Sequence, residues 1–203
     1  QSTMLPPSEN IINPHLFKWK ITDEYLIKES EVGMVEATAG APIPAGRIFA
    51  DPVDCNDFQD AEAFFKNGGQ KGPQLNVLTP GKYRLNPFLF KFHSGRITVV
   101  EGGNIGTVEA VDGETVPSGR LLAKNTEGHE NFEKADVFIK NGGQKGRQLQ
   151  VLMPGSYRIN TMMFKVITNN PWTEIKAEDI GIVTVLEGDP ITDPSKIAAD
   201  EMD

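Results

Sequence analysis

Several common ingredients are scarce in this chain of 203 residues, and each absence excludes something. There is one cysteine, Cys55, so no intrachain disulfide can hold the fold. With no ligand-like cluster around it, Cys55 reads as a small packed residue rather than a nucleophile. Long apolar runs are missing. Stretches such as Phe88-Leu89-Phe90 and Met162-Met163-Phe164 meet a lysine within a few residues, whereas a membrane-spanning helix needs about 20 apolar positions. Positive charge is in the minority, 20 Lys and Arg against 28 Asp and Glu for a net charge of −8. That balance argues against general nucleic-acid binding, which requires a basic face. The histidines His15, His93 and His129 lie at no metal-ligand spacing with one another or with Cys55. No Gly-x-Ser-x-Gly elbow or Ser–His–Asp set occurs. The chain opens on Gln1 without a signal-peptide pattern, and the expectation is that a preceding segment was removed or that this is a piece of a longer chain.

What the chain does contain is a repeat. Positions 64–92 read FFKNGGQKGPQLNVLTPGKYRLNPFLFKF and positions 138–166 read FIKNGGQKGRQLQVLMPGSYRINTMMFKV, identical at 19 of 29 positions without a gap. The similarity extends outward. Val32-Gly33-Met34-Val35-Glu36-Ala37 matches Ile105-Gly106-Thr107-Val108-Glu109-Ala110 and then Ile180-Gly181-Ile182-Val183-Thr184-Val185. Pro44-Ala45-Gly46-Arg47 matches Pro117-Ser118-Gly119-Arg120, and Asn13-Pro14 near the start matches Asn86-Pro87. The expected organisation is 1–28 as the tail of a preceding repeat, 29–100 and 101–173 as two beads, and 174–203 as the head of a further, truncated repeat. A permuted bead, with its boundary near 20–30 and 93–100, is the alternative.

Within each bead the local signals predict strands around Val32–Ala37 and its counterpart, because apolar and β-branched residues alternate there. Ala39-Gly40 and Asp112-Gly113 read as hairpin turns, with returning strands at 47–50 and 120–123. Apolar residues at 58, 61, 64 and 65 share one helical face, with a cap at Asn56 or Asp57 and an exit at Asn67-Gly68. Strands at 75–78 and 149–152 follow, then Pro-Gly turns, then strands at 83–85 and 157–159. The fold class expected is mainly β with short helices (α+β): tandem small β-beads of about 74 residues, each with one short helix.

The glycine-rich segments Gly68, Gly69, Gln70, Lys71, Gly72 and Gly142, Gly143, Gln144, Lys145, Gly146 lack the Gly-Lys-Ser/Thr of a phosphate loop and follow a helix instead of opening one. They read as structural turns on a possible interface. Lys66, Lys71, Lys140, Lys145 and Arg147 add a basic edge to each bead, suited to an acidic face of a neighbouring copy or an anionic lipid surface. Catalytic, cofactor-binding and metal-binding residues are not assigned. Near-identical duplicated beads fit poorly with the single unique constellation an active site requires, so the chain reads as a non-enzyme.

The Gly-Gly-Gln-Lys-Gly-x-Gln-Leu-x-Val-Leu-x-Pro-Gly-x-Tyr-Arg-x-Asn phrase, preceded by Val-Gly-Met-Val-Glu-Ala and Pro-Ala-Gly-Arg, resembles the N-terminal region of SPFH/band 7 (flotillin-like) proteins. A more distant likeness is to the β-repeats in the wall of the major vault protein. The resemblance implies a non-enzymatic scaffold that associates side by side with copies of itself into a ring, tube, filament or cage. It also implies association with membrane lipid through segments outside this chain, with no cofactor and no nucleic acid as partner. The alternative is an extracellular or periplasmic repeat array that binds a glycan, peptide or lipid head group. Against that alternative, Trp19 and Trp172 stand in unlike contexts and Tyr25 has no counterpart.

Overall fold

The computed structural model describes residues 4–5, 8–19, 21–184 and 186. It is mainly β, with ten strands and two six-residue helices among those residues. The order of elements runs twice through the same cycle. The first cycle is β1 (Tyr25–Ile27), β2 (Glu31–Ala37), α1 (Ala61–Lys66), β3 (Gly72–Leu78), β4 (Gly81–Tyr83) and β5 (Phe90–Arg96). The second is β6 (Thr98–Val100), β7 (Asn104–Ala110), α2 (Ala135–Lys140), β8 (Gly146–Leu152), β9 (Gly155–Tyr157) and β10 (Phe164–Pro171).

Pairing stays within each cycle. The strand β2 lies between β3 and β5 in an antiparallel three-stranded sheet, and β1 pairs with β4. Likewise β7 lies between β8 and β10, and β6 pairs with β9. Only Ile97 separates the last strand of the first unit from the first strand of the second. The short strand Thr98–Val100 thus belongs by hydrogen bonding with Gly155–Tyr157.

Each unit is organised around an aromatic trio. Phe90 meets Phe58 and Phe64 edge-on, with ring centroids 5.5 and 5.1 Å apart. Phe164 meets Phe132 and Phe138 in the same way at 5.3 and 5.2 Å. Such edge-to-face pairs contribute roughly 0.5–1.5 kcal/mol beyond their buried area. The apolar positions 58, 61 and 64 are core positions as expected, although Phe65 is exposed.

The helix starts later than the spacing suggested. Asn56, Asp57 and Phe58 have φ of 51, 50 and 63°, and Glu130, Asn131 and Phe132 repeat this at 47, 55 and 68°. This left-handed turn swings each phenylalanine inward before α1 or α2 begins, and Asp60, not Asn56 or Asp57, caps α1 by accepting the Ala63 N–H at 2.9 Å. Consecutive left-handed non-glycine residues cost energy, and local hydrogen bonds offset it. The Asp60 N–H donates to the Cys55 carbonyl and the Lys134 N–H to the His129 carbonyl.

The returning strands expected at 47–50 and 120–123 are not formed. Those segments touch the sheets only through isolated parallel bridges, Ala50 with Gln74 and Ala123 with Gln148. Two causes are visible in the first unit. Pro42 and Pro44 cannot donate to a ladder, and the Ile48 and Phe49 N–H groups are committed to a side chain of the other unit. The strands expected at 83–85 and 157–159 lie two residues earlier, at 81–83 and 155–157. Near the N-terminus, the Asn13 carbonyl accepts from the Leu16 and Phe17 N–H groups, as the Asn86 and Asn160 carbonyls do in their own turns. The 180–185 match forms no strand over its described residues 180–184. Its counterparts β2 and β7 are central strands, and the sequence after residue 185 contains no equivalent of the two strands that flank them.

Candidate assembly interface

The glycine-rich loops are self-bracing structural turns. Gly68, Gly72, Gly142 and Gly146 have φ of 80, 126, 76 and 103°, a region that favours glycine. Gly69 lies flat on the Phe64 ring, where a Cβ would sit 2.5 Å from ring carbons, and Gly143 does the same on Phe138. The glutamines close the loops. Gln74 Nε2 donates to the Gln70 and Gly72 carbonyls, and Gln148 Nε2 to those of Gln144 and Gly146. Gln70 and Gln144 in turn accept the N–H groups of Asp51 and Lys124. The shared Gly-Gly-Gln-Lys-Gly-x-Gln phrase is thereby explained by backbone geometry and hydrogen bonding. Lys71 and Lys145 are exposed at the tips. They, with Lys66, Lys140 and Arg147, enter no ion pair among the described residues.

The most organised polar groups join one unit to the next. Asp112 is 1% exposed. Its Oδ2 accepts the Ile48 N–H at 3.0 Å, the Phe49 N–H at 2.9 Å and Arg47 Nε at 3.1 Å, and its Oδ1 accepts the Gly113 N–H at 2.8 Å. Burial pushes this carboxyl upward, but the Phe49, Ile48 and Gly113 N–H donors, helped by Arg47, outweigh it and hold Asp112 below the usual carboxylate range. Asn160, fully buried, sends its amide across the same junction, donating to the Gln74 and Leu75 carbonyls at 3.0 Å each. Thr161 donates to the Met34 sulfur at 3.3 Å, and Arg158 pairs with Glu29 at 3.2 Å on the rim.

Apolar packing follows the same path. Phe49 and Leu75 belong to the first unit by sequence but lie in the core of the second, with Val108, Phe132, Phe138 and Met163. Both faces of β2 are therefore covered, and Val32, Gly33, Met34 and Val35 are all buried. In β7 burial alternates instead, with Gly106, Val108 and Ala110 inside and Thr107 and Glu109 outside. The back of the first sheet is thus an internal joint, and the back of the second is a surface. Leu75 is 1% exposed and its repeat counterpart Leu149 55%.

Neither group most open to a catalytic reading is arranged for catalysis. Cys55 is buried in the first core, and burial pushes its thiol upward, away from the reactive thiolate. His129 lies at the same repeat position, 74 residues on. Its Nδ1 accepts the Phe132 N–H at 2.8 Å, and burial pushes its pKa down, keeping it neutral. Both side chains brace the left-handed turn, although the histidines had read as unrelated in repeat position. Among the described residues no three His, Cys, Asp or Glu are grouped to hold a metal, and no helix is long and apolar enough to cross a membrane.

Sequence reasoning missed Asp112 and Asn160 as joint residues. Asp112-Gly113 had read as a hairpin turn, and Asn160 as the end of a shared phrase. A signal was present for the first: Asp112 replaces Ala39 at one repeat position, an acid in the copy that follows another. Compared with family models, with curated proteins and with solved structures, the chain matches none.

Proposed function

We propose that this chain is a non-enzymatic structural scaffold of the SPFH/band 7 and vault-repeat kind. Its units are held at fixed spacing so that copies of the chain associate side by side into a large homo-oligomer: a ring, tube, filament or cage. Segments outside these residues bring the assembly to membrane lipid. The observation that carries the reading is the buried cross-unit joint, in which the Asp112 and Asn160 side chains and the Phe49 and Leu75 insertions lock two repeats into one continuous structure. A locked period brings equivalent edges of neighbouring chains into register, so a weak contact per unit is multiplied along the chain. The outer strands of each three-stranded sheet, β3 and β5 or β8 and β10, pair on one side only among the described residues. Open edges are a liability in a monomer and a ready joint in a polymer.

Negative-stain imaging of the purified chain tests this. Regular rings, tubes or filaments are expected. Uniform small particles with no ordered contacts, together with binding to a glycan array or to lipid head groups, would replace the scaffold with the repeat-array binding module.

A further inference from the structure

We propose that the second unit presents its own copy of the acceptor that Asp112 fills, and that Glu187 of this chain occupies it. The proposal concerns how units are joined in series and stands independently of what the array assembles with. In the observed joint an acid followed by glycine reaches back onto the loop Arg47-Ile48-Phe49 of the preceding unit. The counterpart of that loop is Arg120-Leu121-Leu122, and it is held by the same backbone bonds. The Arg120 N–H donates to the Pro117 carbonyl at 3.2 Å, as that of Arg47 does to Pro44 at 3.1 Å. The Ala123 N–H donates to the Arg147 carbonyl at 2.7 Å, as that of Ala50 does to Pro73 at 2.9 Å. The Leu121 and Leu122 amides are therefore presented as those of Ile48 and Phe49 are, beside an arginine at the same place.

The occupant is identified by register and reach. Extending the Gly106 to Gly181 correspondence puts Glu187-Gly188 at the position of Asp112-Gly113. The glycine is needed there. Gly113 has a φ of 133°, and a Cβ on it would collide with the Gly143 carbonyl. The connection also has the right length, since Asp112 follows the end of β5 at Arg96 by sixteen positions and Glu187 follows the end of β10 at Pro171 by the same number. Glu187 lies outside the described residues. Ala39 holds the position in the first unit and has no carboxylate, so the acid before glycine marks a unit that docks on its predecessor through this contact.

The test is site-resolved amide hydrogen exchange by NMR on the full 203-residue chain, comparing the native sequence with Glu187→Ala and with Asp189→Ala as a nearby charge control. Ile48 and Phe49, clamped by Asp112, serve as the internal reference. Glu187→Ala should speed exchange at Leu121 and Leu122 by about tenfold or more, the loss expected for a hydrogen bond to a charged acceptor. Asp189→Ala should leave both unchanged. Equal exchange at Leu121 and Leu122 with and without Glu187 would overturn the proposal, as would an equal effect of Asp189→Ala. A loss of protection that spread equally to Ile48 and Phe49 would overturn it too, because it would report general loosening rather than one local clamp.

Discussion

Leu75 and Leu149 share one repeat position, one residue type and equivalent strands, yet truncating each to alanine should have very different consequences. Leu75 is 1% exposed because the second unit closes over it, and Leu149 is 55% exposed. A fully buried Leu→Ala change costs about 3–5 kcal/mol, the lost transfer energy plus the cavity left behind. A half-exposed leucine that leaves no cavity should cost about 1 kcal/mol or less. The difference of at least about 2 kcal/mol belongs to the joint alone, since the local strand is common to both. Urea unfolding followed by far-ultraviolet circular dichroism would read it as a midpoint roughly 1 M lower for Leu75→Ala than for Leu149→Ala. Hydrogen exchange should also quicken around Phe138 and Met163, which share a core with Leu75. Equal destabilisation of the two variants, within about 0.5 kcal/mol, would refute the claim that the first unit completes the core of the second.

Further expectations follow from the polar groups and caps. Asp112→Asn should cost about 2 kcal/mol at neutral pH, because the Ile48 and Phe49 N–H groups and Arg47 lose their charged acceptor. The carboxyl is depressed in the folded chain, so the unfolded state binds the proton more readily. The stability it contributes is complete above the unfolded value of about 3.9 and is lost as pH falls through the lower folded value. Acid titration of stability should therefore be shallower in Asp112→Asn. His129 is also depressed, by burial. Its contribution is present above the unfolded value of about 6.5 and is lost as pH falls toward the folded value. Urea midpoints should thus drop between pH 7.5 and pH 5.5, and His129→Cys, which installs the first unit's residue, should flatten that drop. Lys134 begins α2 without a side-chain cap where Asp60 caps α1; Lys134→Asp should stabilise by about 1 kcal/mol, read as a higher urea midpoint.

The repeat made much of the unit legible before any coordinates. Long alternating runs revealed β2, β3 and their copies, and the Phe58, Ala61 and Phe64 spacing identified the buried side chains correctly. The strands β5 and β10 were hidden because their outward positions carry Lys91, His93 and Arg96 or Lys165 and Asn169-Asn170, which break the apolar pattern. The strands β1 and β6 are three residues long, too short for any periodicity to register. The hairpin reading of 37–50 failed for a physical reason that lies elsewhere in the chain. A segment whose N–H groups are consumed by Asp112, more than sixty positions away, cannot reveal that partner through local propensity. The joint was visible only as a difference between copies: Ala39 against Asp112, Met34 against Thr107. Cys55 and His129 were overlooked as a pair because residue identity, not position, had been compared. Their common task is to accept the N–H three residues on, which a thiol and an imidazole can both perform.

The most direct test of the scaffold account is the mass of the native chain in solution, measured by multi-angle light scattering across a micromolar concentration series. The account predicts a large homo-oligomer, many times the 22.3 kDa of one chain. A single species at 22.3 kDa across the whole series, with the β signature intact by circular dichroism, would contradict it.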